Sequence, residues 1–255
     1  MSIVTAHRNE KSPSGAACLS PMPLLRSFSP LAVRHYKHVA PLGLANASCW
    51  HRLELGVITL ILVLLNWPLL YGTYNSAMTF LPGAVGAGEW WRVFAHPFVH
   101  VTWFHLSLDG LAFFLLYKDL QQQPWLKRLA YVFASGAGCM LVSLWADPMV
   151  AVKGLCGLSG IAHGLMAVSA LDMMAQRRDK IVSQVGLACF ALVLIKCLVE
   201  VLTGKMLFTF LYFGLVGDPV AVTHAGGMLG GTLIWLFFSL TRHLVSDRPR
   251  GSTGV

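Results

Sequence analysis

The sequence predicts an all-α, polytopic membrane protein built as a six-helix bundle. Three observations carry that prediction. The chain is 56% hydrophobic and only 12% charged, where soluble domains carry about 25% charge, and its mean hydropathy is +0.64. Its apolar segments approach the roughly 17 to 25 residues that a bilayer core demands. Its cationic residues concentrate in alternate connections, as they do when those connections face the cytoplasm.

The elements follow in order. Residues 1–50 hold Ser12, Pro13, Ser14 and Gly15, then "LSPMPLLRSFSP", with five Lys/Arg and a single acid, Glu10. They contain no apolar run long enough for the core of a secretory signal and are expected to form a disordered cytosolic extension. Their Ser/Arg-rich, acid-poor composition also fits an organelle transit peptide, and a mis-assigned start codon fits equally. Six apolar segments come next: Leu53–Leu70, Trp103–Tyr117, Leu129–Ala146, Leu158–Met174, Ile181–Leu202 and Val220–Leu240. A cytosolic tail over 244–255 closes the chain.

With the N-terminus placed inside, cytoplasmic stretches hold fifteen Lys/Arg residues and outer loops three, Arg92, Lys153 and Lys205. That bias puts both termini in the cytoplasm. It also explains the net charge of +8 without a nucleic-acid partner. The six cysteines form no CxxC pair and no Cys/His ligand spacing, so neither a zinc site nor a disulfide framework is expected.

Ionisable side chains inside hydrocarbon are costly, so each needs a reason. Four groups stand out. In "EWWRVFAHPFVHVTWFHLSLDG", His96, His100, His105 and Asp109 lie at or near the outer end of the second segment. His105 and Asp109 are four apart and share a helix face. An aromatic belt explains Trp90, Trp91 and Trp103 but not four ionisable groups. A metal site is the rival reading of these residues, weakened by the missing further ligands and general base. In "GLCGLSGIAHGLM", Gly157 permits a tight turn, Gly160 permits close backbone approach, and Ser159 stands where a helix starts, among free N–H groups. Read alone, that serine is packing filler. In "DPVAVTHAGGMLGG", His224, Gly227 and Gly231 lie at i, i+3 and i+7, a small-residue face suited to tight helix contact. Lys196 and Glu200, four apart in the fifth segment, read as a structural pair that neutralises itself, with substrate gating as the alternative.

Taken together, these residues resemble the rhomboid family of intramembrane serine proteases. The resemblance rests on Trp91-Arg92, then His96, His100 and His105, then a polar residue four later. It continues with G-x-S-G opening a fourth membrane helix and His-x-x-Gly-x-x-x-Gly in a sixth. "GLSGIAHGL" is most similar to the rhombosortase branch, which processes secreted bacterial proteins bearing a C-terminal GlyGly-type sorting segment.

The resemblance implies a six-helix rhomboid-like protease domain over 51–243. It implies a Ser159/His224 dyad, an oxyanion site of His105 with Asp109, and supporting roles for Gly157, Gly160, His163, Gly227, Gly231, Arg92 and His100. No metal and no other cofactor is implied. The implied partners are the lipid bilayer and single-span or C-terminally anchored protein substrates, cut near the extracytoplasmic face. The implied location is a bacterial inner membrane, with the mitochondrial inner membrane as the alternative.

Two departures stand out. Asp109 replaces the family's usual Asn, so it donates to an oxyanion only if protonated; otherwise it orients an imidazole. His163 replaces a frequent Tyr, and it either stacks on His224 or competes with it as the base. A substrate-binding pseudoprotease and a His-rich membrane metalloprotein are the rival functions. A pseudoprotease ordinarily lacks the serine or the histidine, and both are present here.

Overall fold

The computed structural model describes residues 44–207 and 220–246. Among them run six long helices: α1 (Leu44–Asn66), α2 (Trp103–Asp119), α3 (Trp125–Ala146), α4 (Ser159–Met174), α5 (Lys180–Thr203) and α6 (Val222–Ser246). The expected extension and tail lie outside the described residues, apart from 44–50, which open α1, and 244–246, which close α6. α1 therefore starts nine residues before the apolar run that announced it.

Three segments are long and apolar enough to cross a membrane by length and composition: His51–Tyr71, Trp125–Ala146 and Lys180–Thr203. A bent pair, Arg92–Phe98 with Trp103–Gln122, makes a fourth if counted as one span, and its two parts meet at 93°. Large apolar side chains face outward along these helices, among them Leu60 and Leu64 of α1, Phe133 of α3, and Leu192 and Leu202 of α5. Such exposed apolar surface suits contact with lipid.

The helix starts differ in how they are satisfied. Thr102 caps α2 by accepting the His105 N–H, and Asp179 caps α5 by accepting those of Ile181 and Val182. α4 has no side-chain cap from its own N-cap residue, Leu158. The stretch between α1 and α2 is a chain of short helices, including Pro82–Gly86, Arg92–Ala95 and the 3-10 turn His96–Phe98. An isolated antiparallel bridge, Phe80 with Leu155, ties that stretch to the chain just before α4.

Side-chain packing fills the centre. Leu62 of α1, Phe113 and Tyr117 of α2, Tyr131 of α3, and Leu165 and Val168 of α4 form one buried cluster. The tightest contact has no side chains at all. α4 meets α6 where Gly160 faces Gly227 and Gly164 faces Gly231, and α3 meets α6 where Gly138 faces Gly226. A Cβ on Gly227 would fall inside the van der Waals shell of the Gly160 carbonyl oxygen. Small residues allow such approach, and dispersion between backbones holds it.

One partly buried ion pair joins three helices. Glu54 of α1 accepts from Arg128 of α3 at 2.6 and 3.0 Å and from the Tyr117 hydroxyl of α2 at 2.7 Å. Arg128 also donates to the Gln123 carbonyl.

Gly227→Ala opposes two effects. The added methyl favours helix by about 1 kcal/mol, but it meets rigid backbone, and overpacking costs about 1–3 kcal/mol or more. The variant is expected to unfold at lower temperature than the parent in detergent. Gly56→Ala, where nothing lies within 4 Å of the new methyl, is expected to match or exceed the parent. A Gly227→Ala protein as stable as the parent would show that the two backbones can part freely.

Candidate active site

The loop before α4 brings the predicted residues together. Gly157 has φ +98°, and a Cβ there would stand 2.9 Å from the His105 ring and 3.0 Å from Asp109 Oδ2. Only glycine fits both the conformation and the space. Three successive N–H groups of the turn are each taken by the preceding stretch. Gly157 N–H donates to the His96 carbonyl at 3.1 Å. Leu158 N–H approaches His100 Nε2 at 3.4 Å. Ser159 N–H donates to Asp109 Oδ2 at 3.0 Å. The same Oδ2 lies 3.1 Å from His105 Nε2 and 3.6 Å from His100 Nε2. The uncapped start of α4 is thus completed from α2 and the segment before it.

That geometry makes Asp109 an acceptor. Its carboxylate oxygen faces both the Ser159 N–H and the His105 ring. Toward the Ser159 nitrogen Oδ2 can only accept, and a donor role for Asp109 would have to be directed at His105 Nε2, 3.1 Å away.

The segment carrying His96 and His100 is held by two residues. Arg92, buried, donates to the carbonyls of Ser76 and Thr79 at 2.7 and 2.8 Å and pairs with Glu89 at 2.6 Å. Asn66, at the end of α1, donates to the Phe98 carbonyl at 2.7 Å and accepts the His100 N–H at 2.8 Å. Sequence reasoning passed over Asn66. Its signal was available: a carboxamide inside an apolar run, where buried polar groups call for a partner.

On the other side of Ser159 stand two stacked imidazoles. The His163 and His224 rings lie 3.8 Å apart and 12° from parallel. His163 Nδ1 donates to the Ser159 carbonyl at 2.7 Å, and its Nε2 accepts from Lys196 Nζ at 2.9 Å. Both ring nitrogens of His163 therefore have partners, and its ring is stacked on His224. His224 is 2% exposed, and its Nδ1 lies 2.7 Å from Glu200 Oε2. Lys196 Nζ also contacts Glu200 Oε1 at 2.7 Å. Sequence reasoning paired Lys196 with Glu200 but saw neither contact to the histidines, which depend on how α5 lies against α4 and α6.

Among the described residues no hydrogen bond joins the Ser159 hydroxyl to His224. Catalytic hydrogen bonds are often long until substrate arrives. The two residues stand on adjoining backbone: Gly160, next to Ser159, packs on the Thr223 carbonyl, and Gly227 on that of Gly160. No group of three or more His, Cys, Asp or Glu side chains among the described residues is placed to hold a metal ion. An apolar groove of about 450 Å³ between α1 and α2, lined by Leu62, Trp67 and Trp103, includes none of the predicted catalytic pair.

A comparison with protein families matches the rhomboid domain over residues 87–241. The chain belongs to the rhomboid family. Rhomboid-domain proteins are intramembrane serine proteases, which supports an intramembrane protease-type function for this integral membrane protein and membrane proteins as its substrates. No curated protein and no solved structure matches the chain. The matched region begins after α1, yet this rhomboid needs α1: Asn66 fixes the His100 segment, and Glu54 fixes Arg128.

Asn66→Ala leaves a buried N–H and a buried carbonyl without partners, at about 1–3 kcal/mol for each such group. It is expected to lower the unfolding temperature by several degrees. Thr59→Ala, which removes an exposed hydroxyl bonded only to its own helix, is expected to change stability by less than about 0.5 kcal/mol. Equal effects from both would deny Asn66 its role in the clasp.

Proposed function

We propose that the chain is an intramembrane serine endopeptidase in which Ser159 is the nucleophile and His224 the general base. The observation that carries the reading is the glycine contact between the starts of α4 and α6, which sets the serine and the imidazole on adjoining backbone. Ser159 Oγ attacks the scissile carbonyl while His224 Nε2 takes its proton, then returns it to the leaving amine. Water repeats the sequence on the acyl-enzyme. The Ser159 N–H and His105 Nε2–H are the donors aimed at the developing oxyanion, each such donor being worth about 3–4 kcal/mol.

Depth supports the reading. α4 has 16 residues, so it is about 24 Å long, less than a hydrocarbon core of about 30 Å. If its Met174 end lies at the cytoplasmic face, Ser159 lies below the opposite surface. We place both termini in the cytoplasm, from the Lys/Arg bias, with six spans inside a domain of 51–243. Substrates are then single-span or C-terminally anchored proteins cut near the extracytoplasmic face. The rhombosortase specialisation, with its GlyGly-type sorting segments and a bacterial inner membrane, rests on the likeness of "GLSGIAHGL".

Ser159→Ala and His224→Ala are each expected to abolish cleavage of a single-span substrate by purified protein, without loss of expression. Acting as a unit, the double variant should be little worse than either single one. Substantial residual cutting by Ser159→Ala would sink the assignment.

Asp109 has a separate outcome. In the ground state its carboxylate takes the donors that the oxyanion needs, and like charges repel strongly in a low-dielectric site. Asp109→Asn removes that charge and supplies an amide donor. It is expected to raise kcat by roughly tenfold, within the range of one oxyanion donor. A hundredfold fall in a folded protein would show that the carboxylate is needed where it stands.

A further inference from the structure

We propose that Glu200 is the positioning residue for His224, extending the serine–histidine dyad to a Ser159–His224–Glu200 line. The inference rests on the nucleophile and base assigned above. Its ground is the tautomer that the geometry imposes. Glu200 is fully buried, and its Oε2 lies 2.7 Å from His224 Nδ1. A carboxylate only accepts, so the proton must be on Nδ1. Placing the Nδ1 lone pair there instead would set two electron pairs against each other at that distance. Nε2 then keeps its lone pair and is able to accept the serine proton.

Lys196 Nζ stands 3.2 Å from the same Nδ1, which raises a competing arrangement in which the lysine donates and Nδ1 accepts. The distances decide against it. Lysine has shorter acceptors in Glu200 Oε1 at 2.7 Å and His163 Nε2 at 2.9 Å, and Glu200 Oε2 has no other donor as near as Nδ1 among the described residues. Lys196 thus compensates the buried carboxylate, and the Leu207 N–H adds a second bond to Oε1 at 3.0 Å. A buried charge with its oxygens satisfied in this way is tolerable. The surroundings are also directional: His163, stacked on His224 and bonded at both nitrogens, prevents the ring from tilting away.

The proton balance is simple. As the Ser159 Oγ–carbon bond forms, the serine proton passes to Nε2 and the ring becomes imidazolium facing Glu200. As the carbon–nitrogen bond breaks, that proton passes to the leaving amine. Water attack on the ester repeats the cycle and regenerates the serine. Glu200 stays ionised throughout. It touches neither substrate nor reacting atoms.

Three measurements on the full chain in detergent test the role. In the wild-type protein labelled with ¹⁵N at its histidines, the His224 signals should report Nδ1 protonated and Nε2 unprotonated; the reverse tautomer overturns the proposal. Glu200→Gln should lower kcat about 10²-fold or more, as loss of the orienting acid does in serine triads, with KM changed less than threefold. Labelling of Ser159 by a fluorophosphonate should slow in parallel. Cleavage within threefold of wild type overturns the proposal. Lys196→Met with Glu200→Gln removes both charges at once. A purely structural ion pair predicts that this double variant regains activity, whereas the positioning role predicts that it stays as slow as Glu200→Gln. Recovery overturns the proposal, and the tautomer measurement decides it even where the variants fail to fold. Wild-type protein that neither reacts with fluorophosphonate at Ser159 nor loses cleavage on Ser159→Ala would instead refute the nucleophile, whatever Glu200 does.

Discussion

The fold depends on two helices touching backbone to backbone. α6 brings Gly227 and Gly231 against Gly160 and Gly164 of α4, and Gly226 against Gly138 of α3. In lipid no hydrophobic force drives helices together, since the tails are as apolar as the side chains, so close packing must do it. That packing is permissive at only a few positions. The same glycines fix the height of His224 relative to Ser159. In the proposed dyad, structural and chemical requirements coincide at one seam, and the residues on it have little freedom to serve one without the other.

Around the seam, polar groups are arranged in two shells of opposite character. On the side of α2, the start of α4 is closed by acceptors: the His96 carbonyl, His100 and Asp109 take the N–H groups of Gly157, Leu158 and Ser159. On the side of α5, charges are paired: Lys196 and Glu200 meet the two stacked imidazoles. Each buried polar atom in these shells is costly unless satisfied. Most are satisfied by a residue far away in sequence, so helix placement and site assembly form one process.

That dependence explains what was legible in the sequence. Five of the six long helices start within four residues of their apolar runs, because lipid selects apolar length directly. α1 is the exception: it extends back to Leu44 through residues of mixed character. The polar residues that the structure gathers around the start of α4, His100, His105, Asp109, His163 and His224, were legible because ionisable groups are rare in such segments. The stretch from Tyr71 to Thr102 was not: its short helices follow no period and are held by Arg92 and Asn66 reaching distant carbonyls. Glu54 and Arg128 were equally hidden. Arg128 read as one more cytoplasmic cation, yet it is 3% exposed and bound to an acid in another helix. Lys196 and Glu200 formed a plausible closed pair on one helix face, and sequence spacing alone gives no sight of a third helix. Asp109 was ambiguous for a different reason: its role turns on which atoms face it, and the Ser159 N–H and the His105 ring that do so come from another helix start and from the same helix face.

α1 is pinned twice, by Glu54 at its middle and Asn66 at its end. The pins are twelve residues apart, or about 18 Å along the axis, and the outward face between them is apolar. A free transmembrane helix answers a bilayer of the wrong thickness by tilting. A doubly pinned one behaves as a strut: it can lean only by loading its fastenings. One fastening is the carboxamide that holds the His100 segment, so a lean of α1 would load that segment directly.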